Sequence, residues 1–150
     1  MPPCEDSAAM SENIQFRSMR TADLVEARRL WSESEGVELA EGDSIGELLR
    51  YLSRNPEASQ VAVAGSRLVG AVLAGHDGRR GLLYHLAVAK SHRGLSIGRE
   101  LTTRSIEVLQ RCGVRRVLIL VARDNDIGRE FWLKQGWEVL AFAEPMGLDI

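Results

Sequence analysis

A chain of 150 residues, 45% of them hydrophobic and 27% charged, has the balance of a globular protein large enough to bury a core without disulfides or structural metals. Its formal net charge of −2 gives no general reason to bind nucleic acid, although Arg79-Arg80, Arg93 with Arg99, and Arg115-Arg116 are local basic clusters. Its longest aliphatic run, Val117 to Ala122, is far shorter than the ~20 apolar residues of a membrane-spanning helix, and no signal-peptide core is present, so a cytoplasmic location is expected.

Residues Met1 to Asn13 lack periodicity and read as a disordered leader, with the remainder, 14–150, as one domain. Cys4 in that leader and Cys112 form no disulfide framework, and Cys112 is expected in the core. His76, His85 and His92 have no metal-ligand spacing, so no metal is expected. Ile14 to Met19 alternates apolar and polar residues as a half-exposed strand does. Thr21 or Asp23 then caps a helix with Leu24, Ala27 and Trp31 on one face, and Gly36 to Gly42 is an acidic connection. Ser44 with Glu47 forms a capping box opening a second helix, with Ile45, Leu48, Leu49 and Leu52 as its buried stripe and Asn55-Pro56 as its stop.

Gln60 to Ala64 and Arg67 to Gly75 read as two strands around a Gly65-Ser66 turn, and a loop from His76 to Gly81 leads to a third, Leu82 to Val88. A long helix follows from about Ile97 to Arg111, stopped by Gly113. Val117 to Val121 is aliphatic throughout, as a parallel strand covered on both faces requires, so Leu82–Val88, the helix and this strand make a βαβ unit. Asp124 or Asn125 caps a last helix with Ile127, Phe131 and Trp132, ended by Gly136; Trp137 to Ala143 and the residues from Met146 to Ile150 are expected to finish the sheet.

Between the third strand and the long helix lies His92-Arg93-Gly94-Leu95-Ser96-Ile97-Gly98. Two glycines and a serine here let the backbone bend sharply just ahead of a helix N-terminus, where uncovered amides and the positive end of the helix dipole face one spot. That spot suits an anion. Gly98 is followed by Arg99 and Glu100, which excludes a Walker loop, and no Gly-x-Gly-x-x-Gly set is present.

Arg93 to Gly98 resembles the coenzyme A loop of the GNAT superfamily of N-acetyltransferases, Arg/Gln-x-x-Gly-x-Gly/Ala, with Ser96 where the family usually has its first glycine. The element order β-α-α-β-β-β-α-β-α-β is also that of the family, so the resemblance covers about residues 14–150 and is similar to small bacterial members. It implies a mixed α/β fold: a mixed central sheet with one splayed parallel strand pair, flanked by helices.

The resemblance further implies acetyl-CoA as acyl donor, lying where Leu82–Val88 diverges from Val117–Val121. The backbone of Leu86, Ala87 and Val88 would bind its pantetheine arm, and the loop Gly94, Leu95, Ser96, Ile97, Gly98 and Arg99 would offer amides to the pyrophosphate, with Arg93 adding a charge-assisted contact. Asn125 would either bond the pantetheine arm or cap its helix. Trp132 stands where many relatives have a tyrosine that protonates the departing thiolate; an indole N–H cannot give up its proton near neutral pH. The implied reaction is direct attack of a primary amine on the thioester in a ternary complex, with the Leu86 amide stabilising the oxyanion.

Candidates for the base are His85 and Tyr84, which in a regular strand point to opposite faces, so that at most one faces the cleft. Glu33, Glu35, Glu38 and Asp43 either draw an amine-bearing acceptor, a small molecule or a protein amino group, or are a solvated loop. The alternative to an enzyme is a catalytically weak acyl-CoA-binding sensor or partner-binding module. Exposed C-terminal edge strands make a homodimer an open expectation; no nucleic acid or membrane partner is expected.

Overall fold

A computed structural model describes residues 13–150; the expected leader, apart from Asn13, and Cys4 lie outside the described residues. The chain forms two compact units, one through Leu120 and one of Val121–Ile150, and each is taken separately.

In the first unit, β1 (Ile14–Ser18) leads through a single 3-10 turn into α1 (Leu24–Ser32) and, after an irregular connection, α2 (Ile45–Arg54). Then come β2 (Gln60–Ala64), β3 (Arg67–His76), β4 (Gly81–Val88), α3 (Ile97–Arg111) and β5 (Val117–Ile119). The strands lie in the order β1-β2-β3-β4-β5. The first four pair antiparallel, and β5 pairs parallel to β4, with α3 as the crossover. This is the expected mixed sheet with one parallel pair.

One face of the sheet carries Val61, Ala71, Leu73 and Ala87, which pack with Leu24, Ala27 and Trp31 of α1 and Leu48 of α2. The other face receives α3 through Ile97, Leu101 and Leu109, all buried. Burial on both faces explains why β3 is apolar almost throughout. Its two glycines mark where a helix comes closest. A Cβ on Gly70 would sit 3.0 Å from both Ile97 Cγ2 and Leu101 Cδ1, and one on Gly75 would meet the Tyr51 hydroxyl at 2.5 Å. Asn55, buried at the end of α2, donates to Tyr51 O (3.2 Å) and accepts from His76 N (3.0 Å), tying α2 to the end of β3.

Four local expectations are corrected. Neither Thr21 nor Asp23 caps α1 through its side chain. The Asp23 carboxylate turns back to the Arg20 amide (2.7 Å) and takes a forked pair of bonds from Arg17 at 2.7 and 2.9 Å, because the intervening 3-10 turn brings it under β1. The buried stripe of α2 is turned toward Tyr51: Leu48 is buried, Leu52 and Tyr51 pack against the core, and Ile45 and Leu49 are 37% and 39% exposed. Ser44 caps α2 as expected, accepting from Glu47 N at 3.2 Å, but Glu47 Oε2 has no partner, so only half of the box forms. Cys112 is exposed and not in the core, because it occupies the C-cap of α3, at the rim of the helix.

The second unit contains α4 (Asp126–Lys134), capped by Asn125, whose Oδ1 accepts from Gly128 N at 3.0 Å. Gly136 (φ +90°) follows the helix end. The two strands expected after it are absent among the described residues, and β5 ends at Ile119 rather than Val121. An apolar run makes a segment compatible with a strand, but only ladder bonds to a neighbour make it one; here the backbone closes a turn, Ala143 N to Leu140 O (3.3 Å). Among the described residues, the C-terminal edge strands on which a possible homodimer was considered are therefore not formed.

Two stability predictions follow from these contacts. Burial pushes the Asp23 carboxyl up, but the Arg17 guanidinium and the Arg20 amide outweigh it and hold the group below the usual carboxylate range. Its stabilisation is therefore complete above about pH 4 and is lost as pH falls through the depressed value. Asp23→Asn is expected to lower Tm at pH 7 by a few degrees, with the gap to wild type closing below about pH 4, read by thermal melts from acid to neutral pH. Gly75→Ala is expected to cost about 1–3 kcal/mol in urea unfolding, because its methyl collides with Tyr51 and Asn55.

Candidate active site

The segment from the end of β4 to the start of α3 makes a tight series of turns. Lys90–His92 forms one 3-10 turn, Arg93 is extended, Gly94 (φ +78°) and Ser96 (φ +61°) are left-handed, and the helix begins at Ile97. The first backbone bond of α3 runs from Glu100 N to Ser96 O (3.1 Å), so the amides of Ile97, Gly98 and Arg99 precede any acceptor within the helix. At the start of a fifteen-residue helix, these amides carry the positive end of the α3 dipole. Leu95, Arg93 and Arg99 are exposed beside them, and Arg93 Nε reaches back to Val88 O at 3.4 Å. His92, weighed in the sequence only for metal spacing, is buried, with Nδ1 2.7 Å from Ser91 Oγ.

Next to this loop β4 outruns its parallel neighbour. The ladder with β5 joins only Gly81, Leu82 and Leu83 to Val117, Leu118 and Ile119. Among the described residues, Tyr84 to Val88 continue without a ladder partner on that side, so the backbone of Leu86, Ala87 and Val88 borders an opening in the sheet. Where β4 ends, a cleft of about 340 Å³ lies between Leu30, Glu33 and Ser34 and the start of the loop, including Val88, Lys90 and Arg93.

The expected alternation of Tyr84 and His85 fails. The β3–β4 register jumps between Ala71↔Ala87 and Leu73↔Tyr84, so His85 and Leu86 stand opposite Val72 alone. His85 absorbs this β-bulge at φ +55°, a left-handed conformation that costs a non-glycine residue about 1–2 kcal/mol. Both rings consequently lie on the α1/α2 face. Tyr84 packs against the core there, 6.5 Å edge-on from Tyr51. The His85 ring lies 5.3 Å from Trp31 and 6.3 Å from Tyr84.

His85 Nε2 is 2.8 Å from Asp43 Oδ1, a partner 42 residues away in the connection between α1 and α2. Asp43 is 8% exposed, which separates it from Glu33, Glu35 and Glu38, exposed on the same connection. Burial pushes the phenols of Tyr51 and Tyr84 up, favouring the neutral hydroxyl, which can donate a hydrogen bond.

Asn125 and Trp132 belong to the C-terminal unit. Asn125 fulfils its capping role there, and Trp132 stacks edge-on between Phe131 and Trp137, 5.0 Å from each. Among the described residues no group of three or more His, Cys, Asp or Glu side chains could hold a metal, and no helix is long and apolar enough to cross a membrane.

The profile of the Acetyltransferase (GNAT) family matches residues 19–137. The chain is 28% identical over 126 residues to an acetyltransferase of Sodalis glossinidius, covering 84% of this chain and 88% of that protein. Its fold is similar to that of Ard1 from Thermoplasma volcanium, with a TM-score of 0.75, 19% identity, and 85% and 84% of the two chains covered. It is likewise similar to PaiA N-acetyltransferase from Thermoplasma acidophilum in complex with coenzyme A, with a TM-score of 0.70, 21% identity, and 85% and 91% covered. A bare helix N-terminus beside an opened parallel pair and a match over most of the chain lead to the same conclusion: the chain belongs to the GNAT acetyltransferase family and is an acetyl-CoA-dependent acetyltransferase.

Proposed function

We propose that this acetyltransferase acts on a primary amine, of a small molecule or a protein, by direct attack in a ternary complex. The reading rests above all on one juxtaposition: amides with no acceptor in their own helix stand directly beyond a β4 edge with no ladder partner. The first feature fits a diphosphate and the second fits the amides of a pantetheine arm, so the residues present suit coenzyme A. The N-acetyltransferase from T. acidophilum, bound to coenzyme A, supports both donor and acceptor class.

Bound acetyl-CoA supplies the activated thioester; the rest comes from the chain. The amides from Gly94 to Arg99 grip the pyrophosphate and Arg93 adds a charge-assisted bond to it. The backbone of Leu86, Ala87 and Val88 holds the pantetheine arm, and the Leu86 amide faces the charge that develops on the thioester oxygen. His85 takes the proton from the attacking amine, and Tyr84 lends its hydroxyl as a neutral donor. Glu33, which lines the cleft, and the exposed Glu35 and Glu38 on the same connection draw a cationic acceptor toward it.

Arg93→Ala is expected to weaken coenzyme A binding about tenfold in calorimetry, the worth of one charge-assisted bond. Wild type is expected to release thiol above background with at least one member of a panel of amines, aminoglycosides and peptide N-termini. Unchanged affinity in the variant would remove Arg93 from the site, and binding without turnover on any acceptor would defeat the amine reading. Ser96→Gly is expected to raise stability by about 1 kcal/mol without weakening coenzyme A binding, since glycine adopts the left-handed conformation freely; thermal melts and calorimetry check the two halves.

A further inference from the structure

We infer that Asp43 is a positioning residue for acetyl transfer: it holds the His85 imidazole in the tautomer that leaves Nδ1 open to receive the proton of the acceptor amine. The inference rests on the reading of His85 as base and adds to it a residue from a different part of the chain.

The geometry of Asp43 restricts what it can do. Its Oδ2 accepts from Ala40 N at 2.9 Å, and its backbone oxygen accepts from Arg28 Nε at 2.9 Å. Its remaining oxygen, Oδ1, lies 2.8 Å from His85 Nε2. A carboxylate can only accept, so neutral His85 must carry its hydrogen on Nε2, and Nδ1 keeps its lone pair. Asp43 is the one hydrogen-bond partner of the His85 ring among the described residues. Trp31, fully buried, packs on the ring at 5.3 Å and a tilt of 53°. Together with the left-handed backbone at φ +55°, these contacts leave the ring little freedom to turn.

The transfer then balances as follows. The amine nitrogen forms a bond to the acetyl carbon, the carbon–sulfur bond breaks with its electron pair going to sulfur, and the amine proton passes to His85 Nδ1. The resulting imidazolium donates through Nε2 to Asp43 and returns its proton to the thiolate or to solvent. Asp43 touches no reacting atom.

Asp43→Asn separates this role from that of a latch on the connection. An amide has one acceptor oxygen where the carboxylate has two. With that oxygen on Ala40 N, the amide NH₂ faces His85 Nε2 and donates, so the hydrogen moves to Nδ1 and the base is lost. The expected result is a kcat lower by about 100-fold or more with KM little changed and coenzyme A affinity intact. The ¹⁵N spectrum of histidine-labelled protein at about pH 9, where a free imidazole is neutral, should show Nε2–H in wild type and Nδ1–H in the variant. A wild-type spectrum with Nδ1–H, or a variant with unchanged tautomer and rate, would overturn the inference. The wild-type spectrum alone decides it should the variant not fold. His85→Gln with full turnover would instead overturn the base assignment, and Asp43's part in the reaction with it, whatever the tautomer.

Discussion

Between Ala71 and Leu73 of β3, β4 carries one residue more than its partner can pair. A regular antiparallel strand would send Tyr84 and His85 to opposite faces, one under α3 and the other under α1 and α2. The extra residue instead swings the His85 side chain onto the α1/α2 face, where Trp31 and Asp43 receive it. The cost is a left-handed histidine, and the surrounding contacts are what keep it in place. Two residues upstream of the bulge the ladder with β5 ends. The irregular histidine and the opened sheet edge are thus neighbours along β4.

Packing fixes the other half of the site. Because Gly70 lacks a side chain, Ile97 and Leu101 can settle directly on β3, which sets the first turn of α3 against the sheet. The amides ahead of that turn are therefore held by a buried hydrophobic contact and not by the loop alone. The loop supplies the rest with two left-handed residues, Gly94 and Ser96, of which only the first is a glycine. Loop conformation and helix position reinforce each other, as preorganised binding of an anion requires.

Much of this was legible in the sequence, and the limits have physical causes. The bounds of α3, Ile97–Arg111, follow from a glycine-rich approach at one end and Gly113 at the other, both local features. Strands β2 and β3 are equally local, a hydrophobic run broken by Gly65-Ser66. The bulge was not legible, because Leu82 to Val88 reads as an ordinary apolar strand and the surplus residue exists only relative to β3. Asp43 was hidden for a related reason. In sequence it is one of several acidic residues in a connection; only the fold brings it to a histidine 42 residues away while its neighbours stay exposed. The expected strand after Gly136 failed in the reverse sense, since Trp137 to Ala143 is apolar enough for a strand but finds no pairing partner among the described residues.

The position of Asp43 also bears on how a shared fold can serve different acceptors. The residues proposed to grip coenzyme A come from one continuous stretch, β4 to α3. The proposed base depends in addition on the connection between α1 and α2, which is anchored through Asp43 to Ala40, Arg28 and His85. That connection also displays Glu35 and Glu38 and begins at Glu33, beside the cleft. A change in it that reshapes the proposed acceptor side would therefore also move the carboxylate inferred to set the His85 tautomer. On the proposed reading, acceptor recognition and proton transfer both depend on that connection, while the base itself stands on β4 beside the proposed donor site.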